Sequence, residues 1–123
     1  MSSANQVKIP KPDQSSVDLF KSLVPNDPNV RIRPMFGNVS AFVNGNMFFG
    51  LFGNDMFVRL SEKEQAELLK EKGASNLEPM KGRPMKDYVI MPRSWKDDHE
   101  RIRTWVSRSL AWSNKLPVKK HRI

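Results

Sequence analysis

The chain carries two histidines. His99 and His121 stand too far apart to form the one-turn pair that a helical metal site uses. His99 lies among Asp97, Asp98 and Glu100, the acidic composition of a helix start, so it is expected as a solvated residue beside capping groups. With no cysteine, neither a thiolate site nor a disulfide framework can form. Ser61 precedes Glu64 by three residues, which is capping-box spacing and gives its hydroxyl a structural task. The sequence contains no Gly-x-Ser-x-Gly elbow. Met80-Lys81-Gly82-Arg83 has one glycine and no following Lys-Ser/Thr, so it reads as an exposed basic turn, not a phosphate cradle. These residues predict a protein that is not an enzyme and uses no cofactor and no metal.

Cations and aromatics remain. The formal charge is +8. Residues 1–60 hold six Lys/Arg against four Asp/Glu, and residues 61–123 hold fifteen against nine, so the excess is C-terminal. Such a field suits polyanions. Arg31, Lys81, Arg83, Lys86, Arg93, Arg101 and Arg108 could touch a phosphate backbone without reading bases. The competing reading is a solvated surface with some of these cations paired to nearby acids. Strand alternation over residues 39–60 puts Val39, Ala41, Val43, Met47, Phe49, Leu51, Met56, Val58 and Leu60 on one face. Phe42, Phe48, Phe52, Phe57 and Arg59 then fall on the other. That aromatic face has three readings: covered by helices or the tail, an interface for a protein partner or a second copy, or a platform for bases. Few cations interleave with the phenylalanines, which weighs against the last.

The elements that must position these residues follow from local signals. Residues 1–14 are expected as a flexible arm and 15–113 as one domain, with 114–123 a loose basic tail. Ser15 or Ser16 should cap a first helix carrying Leu19, Phe20, Leu23 and Val24 and stopped by Pro25. Val30-Arg31-Ile32-Arg33 has strand spacing, Asn44-Gly45 is a hairpin turn between β-prone runs, and Phe52-Gly53-Asn54-Asp55 makes the next turn. A capped helix follows from Ser61 to about Lys72, then a weak strand from Ser75 to Pro79 and another at Tyr88-Val89-Ile90-Met91, ended by Pro92. Asp97 or Asp98 should open a last helix with Ile102, Trp105, Val106, Ser109, Leu110 and Ser113 on one face. The fold class is therefore α+β: an antiparallel meander plus a strand pair, with helices in the order α-β3/4-α-β2-α packed mainly on one face. No apolar run is long enough to span a bilayer and no secretory h-region is seen, so a cytoplasmic, membrane-free protein is expected.

Arg33-Pro34-Met35-Phe36-Gly37 begins the meander. With Met47-Phe48-Phe49, Phe57-Val58-Arg59-Leu60, Gly73-Ala74, Tyr88-Val89-Ile90-Met91-Pro92 and a final helix bearing Trp105, it resembles the N-terminal domain of the TfoX/Sxy competence regulators over roughly residues 15–113. The resemblance implies an α+β domain with helices on one antiparallel sheet. With the aromatic face and the basic half, the reading is a non-enzymatic regulatory or interaction module that binds a protein partner or forms a homodimer through its sheet, with weak nucleic-acid binding through the basic half as the alternative. Where the family carries a second glycine after Met-Phe-Gly, this chain has Asn38, which can hold a left-handed turn. The turn is expected to dock Met35 and Phe36 against the helices. Phe36→Ala should then cost about 3–5 kcal/mol in chemical denaturation.

Overall fold

Asn44 and Gly45 both take positive φ, 51° and 81°, the backbone of a two-residue hairpin whose twist matches its strands. Around it the computed structural model, which describes residues 10–35, 37–79, 82 and 84–119 and Met35 by its backbone, folds into a meander. Strands β1 (Val30–Met35), β2 (Asn38–Val43), β3 (Asn46–Phe52) and β4 (Asp55–Arg59) follow one another, and β5 (Ser75–Asn76) and β6 (Tyr88–Ile90) complete six antiparallel strands in the order β1-β2-β3-β4-β6-β5. The element order is the one the sequence predicts. Phe36, Lys81 and Arg83 lie outside the described residues, so the docking expected of Phe36 does too, as does that of the Met35 side chain.

Helices α1 (Gln14–Leu23), α2 (Glu62–Leu69) and α3 (His99–Asn114) pack on one face. Phe20 and Leu23 of α1, Leu68 of α2 and Ile102, Trp105 and Val106 of α3 meet Ala41, Val43, Phe49, Leu51, Val58 and Val89 of the sheet. Trp95, from a short 3₁₀ helix at Arg93–Asp97, closes the same core. One cap differs from expectation. Asp13, not Ser15 or Ser16, caps α1: its carboxylate accepts from the Ser16 N–H at 2.8 Å and from the Ser15 hydroxyl at 2.9 Å. These bonds hold the Asp13 carboxyl below its ordinary value, the Ser16 backbone bond most of all. Asp98 caps α3 through the Arg101 N–H. Ser61 caps α2 as predicted, accepting from the Glu64 N–H at 3.3 Å.

Strict alternation fails in β3. Ala41 pairs with Phe49 but Phe42 pairs with Met47, so Phe48 is an extra residue. This β-bulge turns Phe48 toward the helices, fully buried in the same core as Phe49, and sends Met47 to the opposite face beside Phe57 and Tyr88. Phe48 therefore does not belong to the predicted aromatic face. The bulge also takes the Phe48 carbonyl out of the β4 ladder, where Val58 pairs with Phe49 and Arg59 would come next. Ser109 of α3 fills that gap: its hydroxyl donates to the Phe48 carbonyl at 2.6 Å and accepts from the Arg59 N–H at 3.2 Å.

The segments flanking the domain are held. Asn38, buried and within β2, donates to the Pro10 carbonyl at 2.9 Å and accepts from the Gly53 N–H at 2.9 Å. It ties residue 10 to the β3–β4 turn and is not left-handed; at this strand position its amide, not its tolerance of positive φ, is what is used. After α3 the chain crosses the Asn44-Gly45 turn. Asn46 donates to the Pro117 carbonyl at 3.0 Å and the Lys119 N–H to the Asn44 carbonyl at 2.8 Å. A Cβ on Gly45 would lie 1.8 Å from the Lys119 carbonyl oxygen. Backbone groups of Pro10, Pro117 and Lys119 are thus bonded to the sheet and its turns, and Asp13 and Gln14, expected in the arm, form the cap and first residue of α1.

Ser109→Ala leaves two buried backbone groups unpaired and should cost about 2–4 kcal/mol in urea denaturation, one to three per stranded group. A loss within experimental error would show that the hydroxyl bridge is dispensable.

Candidate interaction edge and its cationic cleft

β1 pairs only with β2, and its other edge meets no strand among the described residues. Hydrogen-bonded and non-bonded pairs alternate in an antiparallel ladder. Pro34 has no N–H to give and fits the ladder in a non-bonded pair, opposite Val39. Ile32, two residues back and opposite Ala41, shares that state, so its N–H and C=O point to the outer edge. The Val30 N–H, which falls in the same set, is taken by the Asp27 carbonyl at 3.0 Å. The outer edge thus offers one free donor, at Ile32, between carbonyls at Val30, Ile32 and Pro34. Ile32 is also one of the few large apolar side chains left exposed, at 42%. The sequence shows it only as one apolar position in a strand, because nothing local says that this strand is an edge.

Arg31 and Arg33 flank Ile32 and project to the opposite face, where Arg31 lies across from Phe42 and Arg33 sits 5.7 Å from the centre of its ring. Together with Lys119, brought back by the C-terminal segment, they border a shallow cleft of about 290 Å³. Its lining contains three cations and no carboxylate. None of the three holds an ion pair among the described residues. The sequence places Arg31 among the phosphate-contact candidates and Arg33 in the family turn; their convergence with Lys119 depends on the tail docking at Gly45, which has no local signal.

Most other predicted site residues do not converge here. The remaining cations are largely engaged: Arg93 forks onto Asp55 at 2.6 and 3.3 Å, and Arg101 pairs with Asp98 at 3.4 Å. Arg108 binds Glu67 at 2.7 and 2.9 Å and Glu64 at 2.9 Å, while stacking 4.1 Å from the centre of the Trp105 ring. Lys86 is exposed. On the second face Phe57 is 3% exposed, lying across Gly50, where an added Cβ would come within 2.6 Å of its ring. Leu77, Met85 and Tyr88 pack around it, and Phe52 is half-buried against the same cluster. The Tyr88 hydroxyl donates to the Met47 carbonyl at 3.0 Å, and burial pushes its pKa up. Phe42 is also buried. This face is covered at Phe57 and leaves no open ring there for a base to stack on. Arg59 is half-buried above Tyr88, its charge answered by Asp87 at 3.6 Å and its Nε without a partner.

A second cleft, about 230 Å³, opens between the start of α1 and the Arg93–Asp55 pair. Of the titratable groups on its rim, Asp13 is used in capping and Asp55 and Arg93 bind each other. Among the described residues no group of three His, Asp or Glu side chains is placed to hold a metal, and no helix is long and apolar enough to cross a membrane.

Three helices on one face of a six-stranded antiparallel sheet make a small α+β domain. The chain belongs to the TfoX N-terminal domain family, whose profile matches residues 18–112. Among curated proteins no match was found.

Glu67 sits below its ordinary carboxyl value of 4.5, first because of the hydrogen bonds from Arg108. A depressed carboxylate stabilises the fold above its unfolded value, and that contribution is lost as the pH falls through the lower folded one. Arg108→Met keeps the aliphatic stem on Trp105 and removes the bonds. The Glu67 midpoint, followed by carboxyl-carbon NMR, should move up toward 4.5; an unmoved midpoint would contradict the assigned cause.

Proposed function

We propose that this chain is a non-enzymatic regulatory domain that works by protein association, in the cytoplasm, and that the outer edge of β1 is where its partner docks. One observation carries the reading: Ile32, exposed at the centre of an edge strand, lies between two arginines that hold no ion pair among the described residues. Open edges of this kind recruit an extended segment of another chain through backbone hydrogen bonds, with side-chain contacts setting the choice.

A second copy fits this edge poorly. Two β1 strands joined about a two-fold axis at Ile32 would set Arg31 of each copy against Arg33 of the other, and like charges directly opposite are destabilising. The aromatic face offers little to a homodimer either, since Phe57 and Phe42 are already buried. Nucleic acid is the weaker alternative because Arg93, Arg101 and Arg108 are drawn into carboxylate pairs. Light scattering should accordingly give a monomer at high concentration.

Affinity capture from the native cell, with and without nuclease, separates these readings. The wild-type chain should retain a nuclease-resistant protein that Ile32→Asp loses and the distant Lys86→Glu keeps. Release by nuclease, equal retention by Ile32→Asp, or loss by Lys86→Glu would overturn the proposal.

A further inference from the structure

The edge of β1 is specific enough to state what it should bind. We infer that it takes a short extended segment alternating acidic and apolar residues, acid–apolar–acid, added antiparallel as a seventh strand centred on Ile32. The inference rests on the docking edge proposed above and goes further, naming the chemistry and register of the bound segment.

The backbone sets the centre. Ile32 supplies the one outward N–H, because Pro34 has none and the Val30 N–H is occupied by Asp27. An incoming residue placed opposite Ile32 can therefore exchange both of its backbone bonds with Ile32. Two residues to either side, it can only donate, to the carbonyls of Val30 and Pro34. The added strand consequently makes few ladder bonds, one exchanged pair at Ile32 and one donation on either side, and its side chains set which residue lies opposite Ile32.

The side chains set the chemistry. The residue opposite Ile32 shares its face and meets an apolar side chain that is 42% exposed, so a β-branched aliphatic fits. Its two neighbours point to the other face, one across from Arg31 and one across from Arg33. That face is the cleft lined by Arg31, Arg33 and Lys119 with no carboxylate. Acids at both positions complete opposite-charge cross-strand pairs. Arg33 is already stacked on Phe42, and Phe42 is buried, so this guanidinium is held in place rather than free to swing. Lys119 is fixed at its backbone by the Asn44 carbonyl and adds a third cation. The same three charges repel a basic segment and a second copy of the chain, so the edge both selects one class of partner and rejects self-pairing.

The probe is an end-blocked hexapeptide of alternating Glu and Val, titrated into the full ¹⁵N-labelled chain. Backbone shifts should concentrate at residues 30–34, and the Ile32 amide should become protected from solvent exchange. A peptide of the same composition with its three Glu preceding its three Val should bind about tenfold more weakly, because charge is unchanged but register is lost. Raising the salt should weaken binding. The doubly swapped Arg31→Glu/Arg33→Glu chain should lose the Glu–Val peptide and gain an alternating Lys–Val peptide. If that chain does not give a folded spectrum, Arg31→Gln alone must still weaken the Glu–Val peptide, by about threefold. Equal binding of the scrambled peptide, shifts centred elsewhere, failure of the folded swapped chain to prefer Lys–Val, or an unchanged Arg31→Gln chain would overturn the inference. If cellular capture depends on Ile32 while the Glu–Val peptide fails, the docking edge stands and only the chemistry assigned to its partner falls.

Discussion

The Ser109 hydroxyl joins α3 to the bulge in β3. It donates to the carbonyl that the β3 bulge leaves out of the ladder and accepts from the N–H at the end of β4. Without that bridge two backbone groups would be buried unpaired, a cost of roughly 1–3 kcal/mol each. With it, the bulge can place Phe48 and Phe49 in the same core, and α3 is fixed in register over the centre of the sheet. Ile102, Trp105 and Val106 then meet Phe20 and Val58 where they do. The opposite face receives Met47 instead of Phe48, and the smaller cluster of Phe57, Leu77 and Tyr88 is complete.

Once both faces are occupied, what remains for recognition is an edge. The two ends of the sheet differ. At one end β5 is two residues long and exposed. At the other, β1 runs six residues and is shielded by a single proline and two arginines, devices that discourage pairing with like strands. The charge on the molecule divides in the same way. Three cations on α3 and after β6, Arg93, Arg101 and Arg108, are bound to carboxylates and serve the fold: Arg108 bolts α2 to α3 through Glu64 and Glu67, and Arg93 ties the 3₁₀ turn to Asp55. Cations beside β1 have no such partner among the described residues. A formal charge of +8 is therefore a poor guide to where the field acts.

Local chemistry made most of the fold legible. Asn44-Gly45 announces its hairpin, Ser61 its helix, and the Ile102, Trp105, Val106 and Ser109 spacing the buried side of α3. The misses share a cause. Nothing within β3 distinguishes Phe48 as the extra residue; that choice is made by β2 on one side and Ser109, sixty-one positions away, on the other. Asn38 reads locally as a substitute for a turn glycine, yet it acts as a clamp on Pro10 and Gly53, contacts 28 and 15 residues distant. The site was legible in type and not in place. Arg31, Arg33 and Lys119 are visible as cations, but their meeting beside an open edge requires the strand order, and the strand order depends on which hairpin ends the sheet.

The central claim is that the outer edge of β1, which meets no strand among the described residues, is open to a partner, and amide hydrogen exchange of the isolated chain tests it residue by residue. The geometry predicts that Arg31 and Arg33, bonded inward to β2, exchange slowly, while the Ile32 amide between them exchanges at close to its free rate. Protection of Ile32 equal to that of its neighbours would mean that the edge is already paired within the chain or with a second copy, and would contradict the account.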